Sequence, residues 1–98
     1  MNVPDLICEA IAGRRMISFA YKGSVRTVEP YILGYGEAGE LVLSAVQRSG
    51  GSGVGFRTFL VEELGPLSVS DKGFHRDHPD YRPGDAFFVR VVCKVEAR

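Results

Sequence analysis

After Gly13 this chain never sustains a helical hydrophobic period. Short apolar runs instead alternate with turns rich in glycine and proline, with 12 Gly and 5 Pro among 98 residues. Strands at this spacing predict a mainly β fold, either a small barrel or a strongly bent sheet. The one exception lies at the start. Val3, Leu6, Ile7, Ala10 and Ile11 form a single apolar stripe at helical spacing. Asn2 can cap that helix, Pro4 is tolerated in its first turn, and Asp5 suits the positive end of its dipole. Gly13 is placed to stop it in a left-handed conformation. A helix of about three turns is not stable alone, so it must dock on the sheet.

Predicted strands cover residues 16–21, 25–35, 41–47, 56–61 and 67–70. Pro30 interrupts the second, and because proline lacks a ladder donor, an edge or a bulge is expected there. Turns are expected at 22–24 and 34–39, and a longer Gly loop at 49–53. Residues 72–85 read as an irregular surface segment. A sixth strand follows, with Phe87, Val89, Val91 and Cys93 on one face and Phe88, Arg90, Val92 and Lys94 on the other.

Twelve basic residues balance twelve acidic ones. Strong bulk attraction to nucleic acid or an anionic membrane is not expected, so any anion site must be a local cluster. No run approaches the ~20 apolar residues of a membrane span. The first five residues lack the basic start and apolar run of a signal peptide, which points to a cytoplasmic chain. Cys8 and Cys93 then read as separate buried thiols, with no close pair to suggest metal or redox chemistry.

The candidate binding residues are cationic and aromatic. Arg14, Arg15, Lys22, Arg26, Arg48 and Arg57 cluster around the turns, and most of them fit solvated edge charges. Arg57 stands apart, because it sits in Phe56-Arg57-Thr58-Phe59 on a strand with two largely apolar faces. It either snorkels to an edge or meets an anion through its planar fork. Tyr21 and Tyr31 fit a stacking role and a core role equally well, whereas Phe56 and Phe59 fit the core. His75-Arg76-Asp77-His78 reads as exposed loop rather than as a metal site.

Catalytic patterns do not emerge. Gly53-Val54-Gly55 is not followed by Gly-Lys-Ser/Thr, and no serine sits in Gly-x-Ser-x-Gly. Glu62 and Glu63, adjacent on a predicted strand, face opposite ways and cannot form a dyad. The chain is therefore expected to be a non-enzyme with no cofactor or metal.

Several stretches together resemble WYL domains. Ala10-Ile11-Ala12-Gly13-Arg14-Arg15-Met16-Ile17-Ser18-Phe19-Ala20-Tyr21 is similar to their opening helix, basic pair and first strand. Arg26-Thr27-Val28-Glu29-Pro30-Tyr31 resembles their second strand, and Phe56-Arg57-Thr58-Phe59 their Arg-Thr-Phe strand. The likeness covers roughly residues 7–74, and residues 67–74 correspond to the stretch that closes the domain. The Trp-Tyr-Leu triplet that names the family falls on Leu41-Val42-Leu43, and a family arginine falls on Glu63.

The resemblance implies an Sm-like or SH3-like β-barrel of about five strands over residues 1–74, with the N-terminal helix included. Residues 75–98 would add an irregular segment and a strand. It also implies a bacterial regulatory sensor linked to transcription, binding single-stranded nucleic acid or a nucleotide-like anion. Arg57 would be the leading ligand contact and Tyr31 the next, followed by Tyr21, Arg14 and Arg15, with Arg48 on the positive rim. The alternative is an interaction module, in which residues 86–95 pair with a second chain to give a homodimer, Phe88 and Val92 forming the seam.

Overall fold

The N-terminal stripe forms helix α1, Val3–Ala12, in a computed structural model that describes residues 2–50 and 55–96. Gly53 and Val54, and with them most of the predicted Gly loop, lie outside the described residues. The Asn2 side chain caps the helix by accepting the Asp5 N–H at 2.9 Å. Ile7, Ala10 and Ile11 are buried. The stop differs from expectation, because Gly13 has φ −89° while Arg14 takes the left-handed position at φ 50°. That conformation is costly for a residue with a Cβ. Arg14 is held in it by the bonds its buried side chain makes to Asp77 and to the Glu96 carbonyl.

The remaining elements are strands β1 Arg15–Tyr21, β2 Ser24–Tyr35, β3 Leu41–Ser49, β4 Gly55–Leu60, β5 Leu67–Gly73 and β6 Arg90–Lys94. All of their pairings are antiparallel. Lys22 and Gly23, with φ 48° and 84°, close the first hairpin. Two left-handed central residues give the turn whose twist matches that of the flanking strands. Strand β2 is the spine. β3 runs along one of its edges, while β1 and β6 share the other, β1 opposite Ser24–Val28 and β6 opposite Ile32–Tyr35. The β2–β3 register shifts between Pro30 and Ile32, as a strand proline demands.

The sheet is open. Its path runs β4-β3-β2-β1-β5, with β6 added on β2, and the end strands β4 and β5 do not pair among the described residues. The expected small barrel is thus seen as a six-stranded antiparallel sheet without closure. After β4 the chain turns into a 3-10 turn, Val61–Glu63, instead of continuing as strand. Glu62 and Glu63 therefore lie on that turn, not on a strand.

Helix α1 packs against β1, β2 and β6, and its apolar stripe meets a core that includes Ile17, Phe19, Val28, Leu33, Leu43 and Phe59. The rings of Phe19, Tyr21 and Phe59 pack edge to face, with Phe59 5.1 Å from Phe19 and 5.0 Å from Tyr21. Among the described residues, no helix is long and apolar enough to cross a membrane.

The last quarter of the chain departs most from expectation. Residues 74–89 form an irregular strap across the sheet, and β6 begins at Arg90 instead of Phe87. The predicted facing is reversed near its start. Phe88 turns inward, while Phe87, Val89, Val91 and Val92 are 45%, 63%, 40% and 46% exposed. Gly34 explains the inward turn, since a Cβ there would stand 2.7 Å from the Phe88 ring and 2.6 Å from the Arg90 carbonyl. Only glycine leaves room for that approach. β6 pairs with β2 of its own chain. Cys8 and Cys93 are not thiols but form a disulfide joining α1 to β6, with Cα atoms 5.8 Å apart. The two positions are brought together only by the fold, which is why the reading of two separate buried thiols fails.

Candidate functional site

The strap decides which of the predicted binding residues can reach a ligand. Tyr31, on β2, is fully buried beneath it. Its ring lies 4.6 Å from that of Tyr81, 5.2 Å from Phe74 and 5.3 Å from Phe56. Its hydroxyl accepts the His78 N–H at 2.9 Å and donates to the Arg76 carbonyl at 3.4 Å. Tyr21 is likewise buried, and its hydroxyl accepts the Leu60 N–H at 3.3 Å. Both tyrosines are core residues with satisfied polar tips, so neither offers a free stacking face.

Arg14 is also interior. Its Nη2 donates to Asp77 Oδ1 at 2.6 Å and to the Glu96 carbonyl at 2.8 Å, and its guanidinium sits 5.8 Å from the Phe74 ring centre. It fastens the start of the strap, and the chain just beyond β6, to the helix stop. Arg15 is exposed and bridges β1 to β5 through the Ser70 carbonyl at 2.9 Å. Arg26 is spent on the hairpin, bonding Ser24, Gln47 and the Tyr21 carbonyl. Arg48 is exposed, 3.6 Å from Glu29, on a shallow basin with His75, Arg76 and His78. In the predicted exposed quartet, His75 and Arg76 are indeed exposed, whereas Asp77 and His78 are half-buried anchors of the strap. Asp77 and His78 owe that burial to Arg14 and Tyr31, both distant in sequence.

Burial raises the Tyr31 phenol above its ordinary value, and burial aided by the Asp77 charge pushes Tyr81 up to about 12. Both groups hold their protons more tightly folded than unfolded. Their contribution to stability is complete below pH ~10, the unfolded value, and is lost as pH rises through the folded values. Alkaline unfolding is thus expected to track phenol ionisation between about pH 10 and 12, followed by ultraviolet absorbance alongside circular dichroism. Complete phenol ionisation near pH 10 with the fold intact would contradict the burial of these groups.

The Arg48 basin measures about 420 Å³ and is open, and Arg57 lines a second, more enclosed cleft. This space of about 430 Å³ lies between the sheet and the strap. Ile32, Ser44 and Thr58 stand in register across β2, β3 and β4 and form its base. Phe56 and Arg57 come from β4, and Asp80, Tyr81, Arg82 and Asp85 from the strap. Arg57 is half-buried, and its Nη1 is anchored on the Phe56 carbonyl at 2.9 Å. The volume falls in the range of small-molecule sites, with apolar walls and a few convergent polar groups. Sequence reasoning missed Ser44, Tyr81 and Asp85. For Ser44 a signal existed, a lone hydroxyl within the apolar run Leu41–Val46. For the strap residues there was none, since their position depends on contacts far along the chain.

Among the described residues, no group of three or more metal-ligating side chains converges. Compared with protein-family models, curated proteins and solved structures, the chain matches none.

Proposed function

We propose that this chain is a regulatory ligand-binding domain that takes a small organic anion in the cleft between β4 and the strap. The observation that carries this reading is Arg57, a half-buried arginine whose fork is pre-positioned by a backbone bond at the edge of an aromatic-walled space. The resemblance of residues 7–74 to WYL sensors supports the same residue. A nucleotide is one such anion. Its base would stack on Phe56 or Tyr81, because Tyr21 and Tyr31 are buried. Single-stranded nucleic acid has less support, and its binding would show only a shallow salt dependence, since few phosphates could be neutralised.

Arg57→Ala is expected to weaken binding of a mononucleotide or aromatic carboxylate roughly ten- to a hundredfold, the weight of one charge-assisted hydrogen bond. Isothermal titration measures this, and circular dichroism checks that the fold is retained. An unchanged Kd for Arg57→Ala would remove the assignment.

A second reading rests on the exposed side chains Phe87, Val89, Val91 and Val92. Here β6 would be the seam of a homodimer, with Phe88, now buried, excluded from it. The full chain would sediment as a dimer, and Val89→Lys with Val91→Glu would return it to a monomer without loss of secondary structure. A monomer at high concentration rules this reading out.

A further inference from the structure

We infer that the cleft is built for a zwitterion, a molecule carrying one anionic and one cationic group on an apolar or aromatic body. This rests on the cleft being the ligand site and narrows its chemistry. Two arginines, Arg57 and Arg82, and two aspartates, Asp80 and Asp85, line the same space. Among the described residues, neither arginine forms an ion pair with either aspartate. Opposite charges sharing one small cleft without neutralising each other leave both signs available to a ligand.

The two charges set deepest in protein are also those held in place. Arg57 is fixed through Nη1 to the Phe56 carbonyl at 2.9 Å. Asp85 is half-buried, and its Oδ1 accepts the Phe87 N–H at 3.0 Å, while its own N–H donates to the Arg82 carbonyl at 3.0 Å. Each therefore presents its remaining donors or acceptors without first paying to be ordered. Asp80 is largely exposed, with 79% of its side chain accessible, and serves as rim.

The same cleft is also lined by Ser44 and Thr58 and by Ile32, Phe56 and Tyr81. A polyphosphate would meet two carboxylates in this cleft, and a pure cation would meet two guanidinium groups. A ligand with both signs meets a partner for each. An aromatic α-amino acid has this chemistry and a size suited to the cleft.

Three probes separate the possibilities by isothermal titration: L-phenylalanine, N-acetyl-L-phenylalanine, which lacks the cation, and L-phenylalaninamide, which lacks the anion. L-Phenylalanine is expected to bind at least about tenfold more tightly than either capped form. Asp85→Asn, which keeps an Oδ1 acceptor for Phe87, should reduce L-phenylalanine to the level of the N-acetyl probe. If N-acetyl-L-phenylalanine binds the native chain as tightly as the free amino acid, the zwitterion inference falls and the anion site stands. If no probe binds up to millimolar concentration while a mononucleotide does, the inference again falls alone. If neither amino acids nor nucleotides bind, both readings fall.

Discussion

Reducing the Cys8–Cys93 bond is expected to cost about 4.5 kcal/mol of stability on the chain-entropy account, because the bond closes a loop spanning 85 positions. A domain of this size has only ~5–15 kcal/mol to lose. At roughly 4–8 °C per kcal/mol, the melting temperature should fall by about 20 °C or more. The effect is large because of what the bond joins. Helix α1 is ten residues long and β6 only five. Neither would persist alone, and among the described residues β6 pairs with β2 alone. Calorimetry with and without a dithiol reductant measures the difference, and Cys8→Ser with Cys93→Ser gives the same comparison without reagent. A fall of less than about 5 °C would mean that the packing of Ile7 and Ile11 holds the helix without the bond.

Tyr31→Ala should cost about 3–5 kcal/mol, the usual loss for a large buried aromatic. The ring touches Phe56, Phe74 and Tyr81, and its hydroxyl accepts from the strap backbone at His78. Tyr31→Phe keeps the ring and strands the His78 N–H, so it should cost about 1–3 kcal/mol. Denaturant titration of both variants separates ring from hydroxyl. If Tyr31→Ala left stability within about 1 kcal/mol of the native chain while abolishing ligand binding, Tyr31 would be an open ligand contact and not part of the core.

The parts of the fold that were legible in the sequence are those set by neighbours along the chain. The stripe from Val3 to Ile11 specifies α1, Lys22-Gly23 specifies the first hairpin, and Pro30 specifies a register shift. What was not legible depends on residues far apart in sequence. Nothing in the spacing of Cys8 and Cys93 reveals a bond, because their proximity follows only once β6 lies on β2 beside the helix. Gly13 looked like the left-handed stop, yet Arg14 takes that role because Asp77 and Glu96 reach it from the other end of the chain. Alternation placed Phe87 inward, but the register shift opposite Leu33 and Gly34 brought Phe88 in instead.

The candidate site follows the same division. Arg57 could be singled out from its strand, because an arginine between two aromatics on a two-faced apolar strand invites an explanation. Tyr21 and Tyr31 could not be assigned to core or site without the residues that cover them. The strap that buries Tyr31 also supplies Tyr81 and Asp85 to the cleft. Its sequence is polar and irregular, and it became a wall through contacts with residues far along the chain, among them Arg14–Asp77, Tyr31–His78 and Tyr81–Val95.

The most direct test of a ligand site at Arg57 is nuclear magnetic resonance mapping of the isotope-labelled chain titrated with L-phenylalanine. Saturable shifts are expected to concentrate at Ser44, Phe56, Arg57, Thr58, Tyr81 and Asp85, and to need roughly ten- to a hundredfold more ligand in Arg57→Ala. Saturable shifts confined to Phe87–Val92 or to the Arg48 basin, with the cleft residues unmoved, would contradict it.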